Sequence, residues 1–464
     1  MMRNHGKKHA RNGERGVTMI IVVIAMLSML AMVALAIDVI TLYAARSEAQ
    51  RGADSAALAA AKMLVDMGVT ADPTNSALQT TAQTSATKIA TDVATQIAIA
   101  GRQVQSADVT VSYPNNGLAS FGVNPTVAVT VNRPNLPTFF SRIWSGGVLS
   151  VSATATAEGF NPSNSSGITG TTGLPVISRC VKPFLLPNCD PNPAATGTAC
   201  GARATFFDPA TGAITRPGQY PAGIIGETFN VTSSCPGPGP GCAAPSPPTA
   251  GNYYPALMPV AASGNACPAT CGGGGTAFES DIECCNPSPI ACGTTALPSV
   301  TYQLQFDNTV LPEGNNGPAQ TGVQCLIHQT PGNGQDDLNG GIGTPPLGVV
   351  TGVALNYPLQ IQVGNNHPLE GTPTLSGGDY ITTSDSLITV PVYDATGAIT
   401  PTNPVNVIGF LQVFINRAWP GGNPQKAGSF DVTVVNVSGC GSGATGTPVF
   451  TGSPSAVPVR LIHQ

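Results

Sequence analysis

Charge is scarce in this chain: only 9% of its 464 residues are Asp, Glu, Lys or Arg, against about 25% in an ordinary soluble protein. The net charge is −5, with no basic stripe beyond the N-terminal tail, and this excludes nucleic acid as an expected partner. Histidine is rarer still, at five residues, and His5 and His9 stand in that tail. There is no Walker phosphate loop, no Gly-x-Ser-x-Gly elbow and no His-Glu-x-x-His helix, so the sequence predicts neither an enzyme nor a cofactor site. Cysteine is missing from the first 179 residues, although twelve follow from Cys180 onward. An even set confined to one part of a chain predicts disulfides in an oxidising compartment for that part.

Apolar sequence is abundant near the start. Residues 17–37 carry no charge between Gly16 and Asp38, and about 21 helical residues at 1.5 Å each cross a hydrocarbon core of about 30 Å. Arg3, Lys7, Lys8, Arg11 and Arg15 precede the span against one acid, Glu14. Basic flanks stay cytoplasmic, so the rest of the chain is expected outside. Two other readings compete. Ala34-Leu35-Ala36 has the small-x-small form of a signal peptidase site, but the apolar run exceeds the roughly 7–15 residues of a signal-peptide core and no helix breaker precedes the site. A buried core helix would carry a wider polar face than Thr18 and Ser28 supply.

Past the span, residues 44–61 have high helix propensity. Ala45, Ala49, Ala53, Ala56 and Ala60 form a stripe of small residues suited to close packing, either within the domain or against a partner helix. Asp72-Pro73 reads as the start of a second helix, with Ala82, Ala86, Ile89, Val93 and Ile97 on one face and Gly101 as its end. From Val104 the period changes to two. Val109 and Val111 precede the turn signal Pro114-Asn115-Asn116-Gly117; Val127, Val129 and Val131 follow it, and residues 150–157 alternate hydroxyl with small apolar side chains. The expected organisation is a cytoplasmic tail (1–16), a transmembrane helix (17–37), an α+β domain (38–158), a turn-rich linker (159–173) and a cysteine-rich, mainly β domain (174–464). Short β runs in the last include 302–306, 387–393, 407–415 and 430–435.

Four features invite chemistry. Asp38 is a carboxylate at the lipid boundary, read either as the outer stop of the span or as an ion-pair partner for another helix. Cys267, Cys271, Cys284, Cys285 and Cys292 cluster as zinc ligands would, but without paired Cys-x-x-Cys spacing. Disulfides are the expectation for these and for Cys180, Cys189, Cys200, Cys235, Cys242, Cys325 and Cys440, with vicinal Cys284 and Cys285 taking different partners and Cys180 close enough to Cys189 for a local loop. Residues 332–341 place Asp336, Asp337 and Asn339 on a glycine-rich turn that calcium could use, but the EF-hand glutamate is missing and a solvated loop is expected. His328 and His367 have no acidic or cysteine partner at a recognised spacing.

Arg15-Gly16 followed by the apolar run, then Asp38, Leu42-Tyr43, Arg46, Gln50 and the block Ala53-Asp54-Ser55-Ala56-Ala57-Leu58-Ala59, resembles the N-terminal module of Tad-like (TadE/TadG-like) Flp pilus-assembly proteins. The segment 137–144 and the strand ending in Ala157-Glu158 are similar to later parts of that group. The resemblance implies a bacterial inner-membrane protein with a pilin-like α+β domain and its bulk outside, acting as a structural or accessory component of a tight-adherence pilus system. Its implied partners are the bilayer and pilus-assembly or pilin proteins, with no metal or small-molecule substrate. Asp38, Ala45, Arg46, Ala49, Gln50, Ala53, Asp54, Ala56 and Ala60 are the residues expected to pack on a partner helix. Two departures narrow it. The Asp-x-Ser-x-Ser metal motif of larger members is absent, and Ile21 stands where cleaved prepilins carry glutamate. The alternative function is a secreted, disulfide-rich adhesin released after Ala36.

Overall fold

A computed structural model describes residues 14–136, 149–163, 175–235, 248–259, 267, 271, 275–292, 304–311, 317–339, 360–371, 376–378, 380–381, 383–396, 399–401, 403–419, 428–444, 449–450 and 455–462. The chain opens with α1 (Glu14–Asp66), α2 (Ser76–Thr95), β1 (Ala98–Ile99), β2 (Arg102–Gln103), β3 (Val109–Ser112), α3 (Ala119–Val123), β4 (Thr126–Leu136) and β5 (Leu149–Gly159). There follow β6 (Val176–Ser178), β7 (Phe184–Pro187), β8 (Thr196–Ala199), β9 (Thr228–Ser233), β10 (Asn252–Leu257), α4 (Ala277–Glu283), β11 (Ile290–Cys292), β12 (Gln305–Phe306) and α5 (Pro318–Leu326). The last stretch holds β13 (Asp337–Asn339), β14 (Gln360–Gln362), β15 (Tyr380–Ile381), β16 (Leu387–Tyr393), β17 (Val407–Ala418), β18 (Phe430–Gly439), β19 (Val449–Phe450) and β20 (Val459–Ile462).

Two compact units emerge. The first comprises Met1–Ala57, Ala90–Ser112 and Ala128–Ala155. Here β3 and β4 pair antiparallel, Val109 opposite Val131 and Val111 opposite Val129. Val129, Val131, Val151, Ala153 and Ala155 are buried, while Thr130 and Thr154 share a 2.8 Å hydroxyl contact on the other face, the period-two alternation expected of a half-buried sheet. Gly101 does not end α2, which stops at Thr95. With Ala100 (φ 47°) it makes the two-residue turn between β1 and β2, a hairpin that needs positive φ at both positions.

The second unit comprises Leu58–Ile89, Tyr113–Val127 and Thr156–Gln464. Helix α1 ends there in a Schellman motif: Gly68 N–H donates to Val65 O and Val69 N–H to Leu64 O, with Gly68 at φ +79°, a conformation glycine adopts without a Cβ penalty. Helix α2 begins later than Asp72-Pro73 suggests. Asn75 Oδ1 accepts from Leu78 N–H at 3.0 Å and so caps it, while Asp72 accepts from the Asn75 amide at 2.9 Å. Its buried side is Leu78, Ala82 and Ala86, continued in the first unit by Ala90 and Ala94; Ile89, Val93 and Ile97 are only half-buried.

The centre of the second unit is a closed ring of strands. The hydrogen-bonded order β12-β10-β7-β16-β17-β18-β9 is completed by β9 pairing with the start of β10. The ring is mixed: β16 runs parallel to β7 and β9 parallel to β10, and the other pairs are antiparallel. Alternate residues enter two apolar clusters. Phe184, Leu186, Tyr253 and Leu411 join one, and Leu185, Tyr254, Tyr393 and Phe410 the other. The wall is thus covered on both faces, which accounts for β16 and β17 reading as near-continuous apolar runs instead of alternating ones. Asn436 on β18 donates to Val65 O at 2.9 Å and ties down the last turn of α1. Asn161 and Ser163, at the start of the expected linker, are buried and bond to Val437 O and Gly439 O. The end of β5, Thr156–Gly159, pairs antiparallel with β20.

Candidate functional site

Helix α1 runs 53 residues without a proline, and its surroundings change along its length. From Val17 to Leu35 its large apolar side chains are bare, Leu30 at 64% exposure for example, and only 6% of its most apolar 18-residue window is buried. The hydroxyls of Ser28 and Thr41 are satisfied inside the helix, Ser28 Oγ on Ala25 O and Thr41 Oγ1 on Ile37 O, each at 2.9 Å, as a hydrocarbon environment demands. Such a length of uncovered apolar helix fits a membrane anchor.

Towards its outer end one face becomes sealed. Ala34 (6% exposed), Asp38 (4%) and Ala45, Ala49, Ala53, Ala56 and Ala60 are buried within the chain, and at 3.6 residues per turn they lie along one side of the helix. Asp38 is neither solvent-facing nor free. Of the two packings the alanine stripe allows, the structure displays the one within the chain. Gly52 sits so close to Ile97 that an added Cβ would lie 3.5 Å from its Cδ1. Glu48 accepts from Ala100 N–H at 2.8 Å. Gln50, half-buried, donates to Asp54 Oδ1 at 2.8 Å and to Thr154 O at 3.4 Å, and Arg46 is exposed.

Five disulfides tie the second unit: Cys180–Cys285, Cys189–Cys200, Cys267–Cys284, Cys271–Cys325 and Cys292–Cys440. Cys235 is also disulfide-bonded; Cys242 lies outside the described residues. Vicinal Cys284 and Cys285 do take different partners. Cys180 and Cys189 do not close a local loop, because strand β7 extends between them at about 3.3 Å per residue and carries them apart. All five cysteines of the zinc-like cluster are consumed in this way. Among the described residues no group of three His, Cys, Asp or Glu is placed to hold a metal.

The glycine-rich turn at 332–339 is solvated at its start, where Gly332 and Asn333 are exposed, but not throughout. Asp336 is buried and accepts from Gly364 N–H at 2.9 Å and Ser384 Oγ at 2.6 Å, so its oxygens serve the fold; residues 340–341 lie outside the described residues. The histidines gain through folding the acidic partners that spacing denies them: His328 Nε2 is 2.9 Å from Asp385 Oδ2, and His367 Nε2 is 3.8 Å from Asp336 Oδ2. His328 borders a pocket of about 480 Å³ lined also by Thr321, Gln324, Thr330 and Asn366. Thr321 Oγ1 on α5 donates to Glu279 Oε1 on α4 at 2.7 Å, and Asn366 Nδ2 donates to His328 O and Pro331 O; the first joins two helices and the second holds a loop.

Two buried charge clusters carried no motif by which the sequence could announce them. Arg216 pairs with Asp190 and stands 3.5 Å from Glu227. Burial first, and then the neighbouring Asp190, push the Glu227 carboxyl up to about 9. Lys182 donates to Ile282 O at 2.5 Å and Cys284 O at 2.8 Å at the end of α4. Burial lowers its ammonium to about 8, against the pull of Asp385, Asp281 and Glu283. The two cations, Lys182 and Arg216, are bonded to backbone carbonyls of the chain itself.

No curated protein and no solved structure matches the chain. A family model does match its start, and the matched stretch is the helix just described. Residues 16–63 match the family model Tad, "Putative Flp pilus-assembly TadE/G-like", so this long helix with its sealed alanine face is similar to a Tad-like pilus-assembly domain.

Proposed function

We propose that the chain is a non-catalytic structural component of a Tad-like pilus-assembly system, held in the bacterial inner membrane by residues 17–37, with its N-terminus cytoplasmic and its folded units outside. One observation carries this reading: the stretch matched to the family, residues 16–63, is a single unbroken helix, bare and apolar first and locked into the folded chain afterwards. A detachable export signal has no need of the second half. The basic residues before the span support the orientation, and the disulfides support an oxidising compartment. A long helix running on to the antiparallel pair β3–β4 supports the pilin-like character of residues 38–158. Partner contact through Gln50 and Asp54 belongs to the same proposal, since these two of the residues expected to pack on a partner helix are left partly open.

Deleting the gene tests it. Surface pili should fall while pilin synthesis continues, and the full chain should restore them where a version lacking residues 1–43 does not. Normal piliation in the deletion strain would overturn the proposal. The secreted-adhesin reading predicts a soluble mature chain beginning at Ile37, which N-terminal sequencing of the membrane and soluble fractions detects.

A further inference from the structure

The apolar surface of α1 does not stop at Asp38. Val39 and Ile40 remain exposed, Ile40 at 67%, and Tyr43 is the most exposed large apolar side chain of the helix at 73%. Ala44, Arg46, Ser47 and Arg51 follow, all exposed. At 3.6 residues per turn, Ile40, Tyr43, Ala44 and Ser47 lie on the side opposite Ala34, Asp38, Ala45 and Ala49. Two surfaces therefore run side by side past the expected end of the span. One is sealed by the chain and carries the carboxylate; the other is open, apolar and continuous with the lipid-facing surface of residues 17–37.

Length agrees with that continuity. Residues 17–37 rise roughly 30 Å, the thickness of a hydrocarbon core, and residues 17–43 roughly 40 Å, the thickness of a bilayer with its headgroup layers. Tyrosine is the side chain expected at headgroup level, its ring in the acyl boundary and its hydroxyl in water. An exposed arginine one turn further out, Arg46, stands where lipid phosphates lie.

We propose that the outer headgroup layer of the bilayer covers the open face of residues 39–46, with Tyr43 and Arg46 marking the membrane boundary. Asp38 then sits at bilayer depth but turned away from lipid. The inference rests on the reading of α1 as a membrane anchor; it is indifferent to which machinery the chain joins.

Two measurements on the full chain in phosphatidylethanolamine–phosphatidylglycerol vesicles test it. Benzoylphenylalanine in place of Ile40 or of Tyr43 should give phospholipid adducts on irradiation, resolved by mass spectrometry. Dicyclohexylcarbodiimide, which modifies carboxyls open to lipid, should leave Asp38 unmodified in the folded protein and label it once the chain is denatured in detergent. Absence of lipid adducts at both positions, or labelling of Asp38 in the folded protein, would overturn the proposal. A failure of the pilus reading would leave both results unchanged.

Discussion

Asn188 shows how much of the ring of strands hangs on one buried amide. It lies just past β7, 2% exposed. Its Oδ1 accepts from the N–H groups of Phe206 and Phe207, both at 3.0 Å, and its Nδ2 donates to Phe207 O at 2.8 Å. Phe207 in turn covers two glycines: a Cβ built on Gly409 or Gly439 would lie 2.6 or 2.5 Å from its ring, so β17 and β18 are shaped around it. Asn188→Ala removes three hydrogen bonds of about 1 kcal/mol net each and leaves two N–H groups and a carbonyl facing a void, an added penalty of about 1–3 kcal/mol per orphaned group where water cannot enter. Relaxation offsets part of that, and we expect a loss of about 3–5 kcal/mol. At about 2–4 °C per kcal/mol for a unit of this size, the midpoint should fall by roughly 10 °C. Non-reducing thermal unfolding followed by Trp419 fluorescence reads it, since the indole N–H donates to Asp431 at 2.8 Å beside β18. A loss below about 1 kcal/mol would refute the claim that this amide organises the ring.

Three further outcomes follow from the same structure. Ala53→Leu adds three carbons where the stripe has no space and should cost about 1–3 kcal/mol, whereas Ser47→Leu on the open face should change stability by less than about 0.5 kcal/mol; unfolding in detergent compares them. Replacing both Cys292 and Cys440 by serine opens a loop of 148 residues and should destabilise by about 5 kcal/mol on the chain-entropy model, against about 3 kcal/mol for Cys189 with Cys200, which close 11; denaturant midpoints give the order. Glu227 holds its proton up to about pH 9 in the folded state and to near 4.5 otherwise. Its contribution is therefore full below about pH 4.5, declines as pH rises and is lost above about 9, by at most about 1.4 kcal/mol per pH unit. Glu227→Gln should flatten that part of the profile measured by unfolding between pH 5 and 9.

Local pattern made α1 and the pair β3–β4 legible by their periods, and β16, β17 and β18 legible as short apolar β runs. It misplaced the start of α2, since Asn75 supplies a better-positioned capping oxygen than Asp72, and it took Gly101 for a helix end when the residue serves a hairpin. The closed ring was not legible at all. Its strands β7, β9 and β10 are short, β10 contains a proline, and the closing pair joins segments that no periodicity connects. Disulfide pairing was likewise beyond reach, as the Cys180–Cys285 bond spans 105 residues. The alanine stripe was visible, but spacing alone could not say that the chain itself would cover it. The acidic partners of His328 and His367 arise only from folding, which brings Asp385 and Asp336 to them.

The central claim is that this chain works in the membrane as part of a pilus-assembly machine, and cross-linking in native membranes tests it most directly. A photoreactive residue in place of Asp54, half-buried on the outer part of α1 beyond the boundary at Tyr43 and Arg46, should capture inner-membrane pilus-assembly proteins or pilin together with the intact, uncleaved chain. Recovery of the chain with no such component would contradict the account.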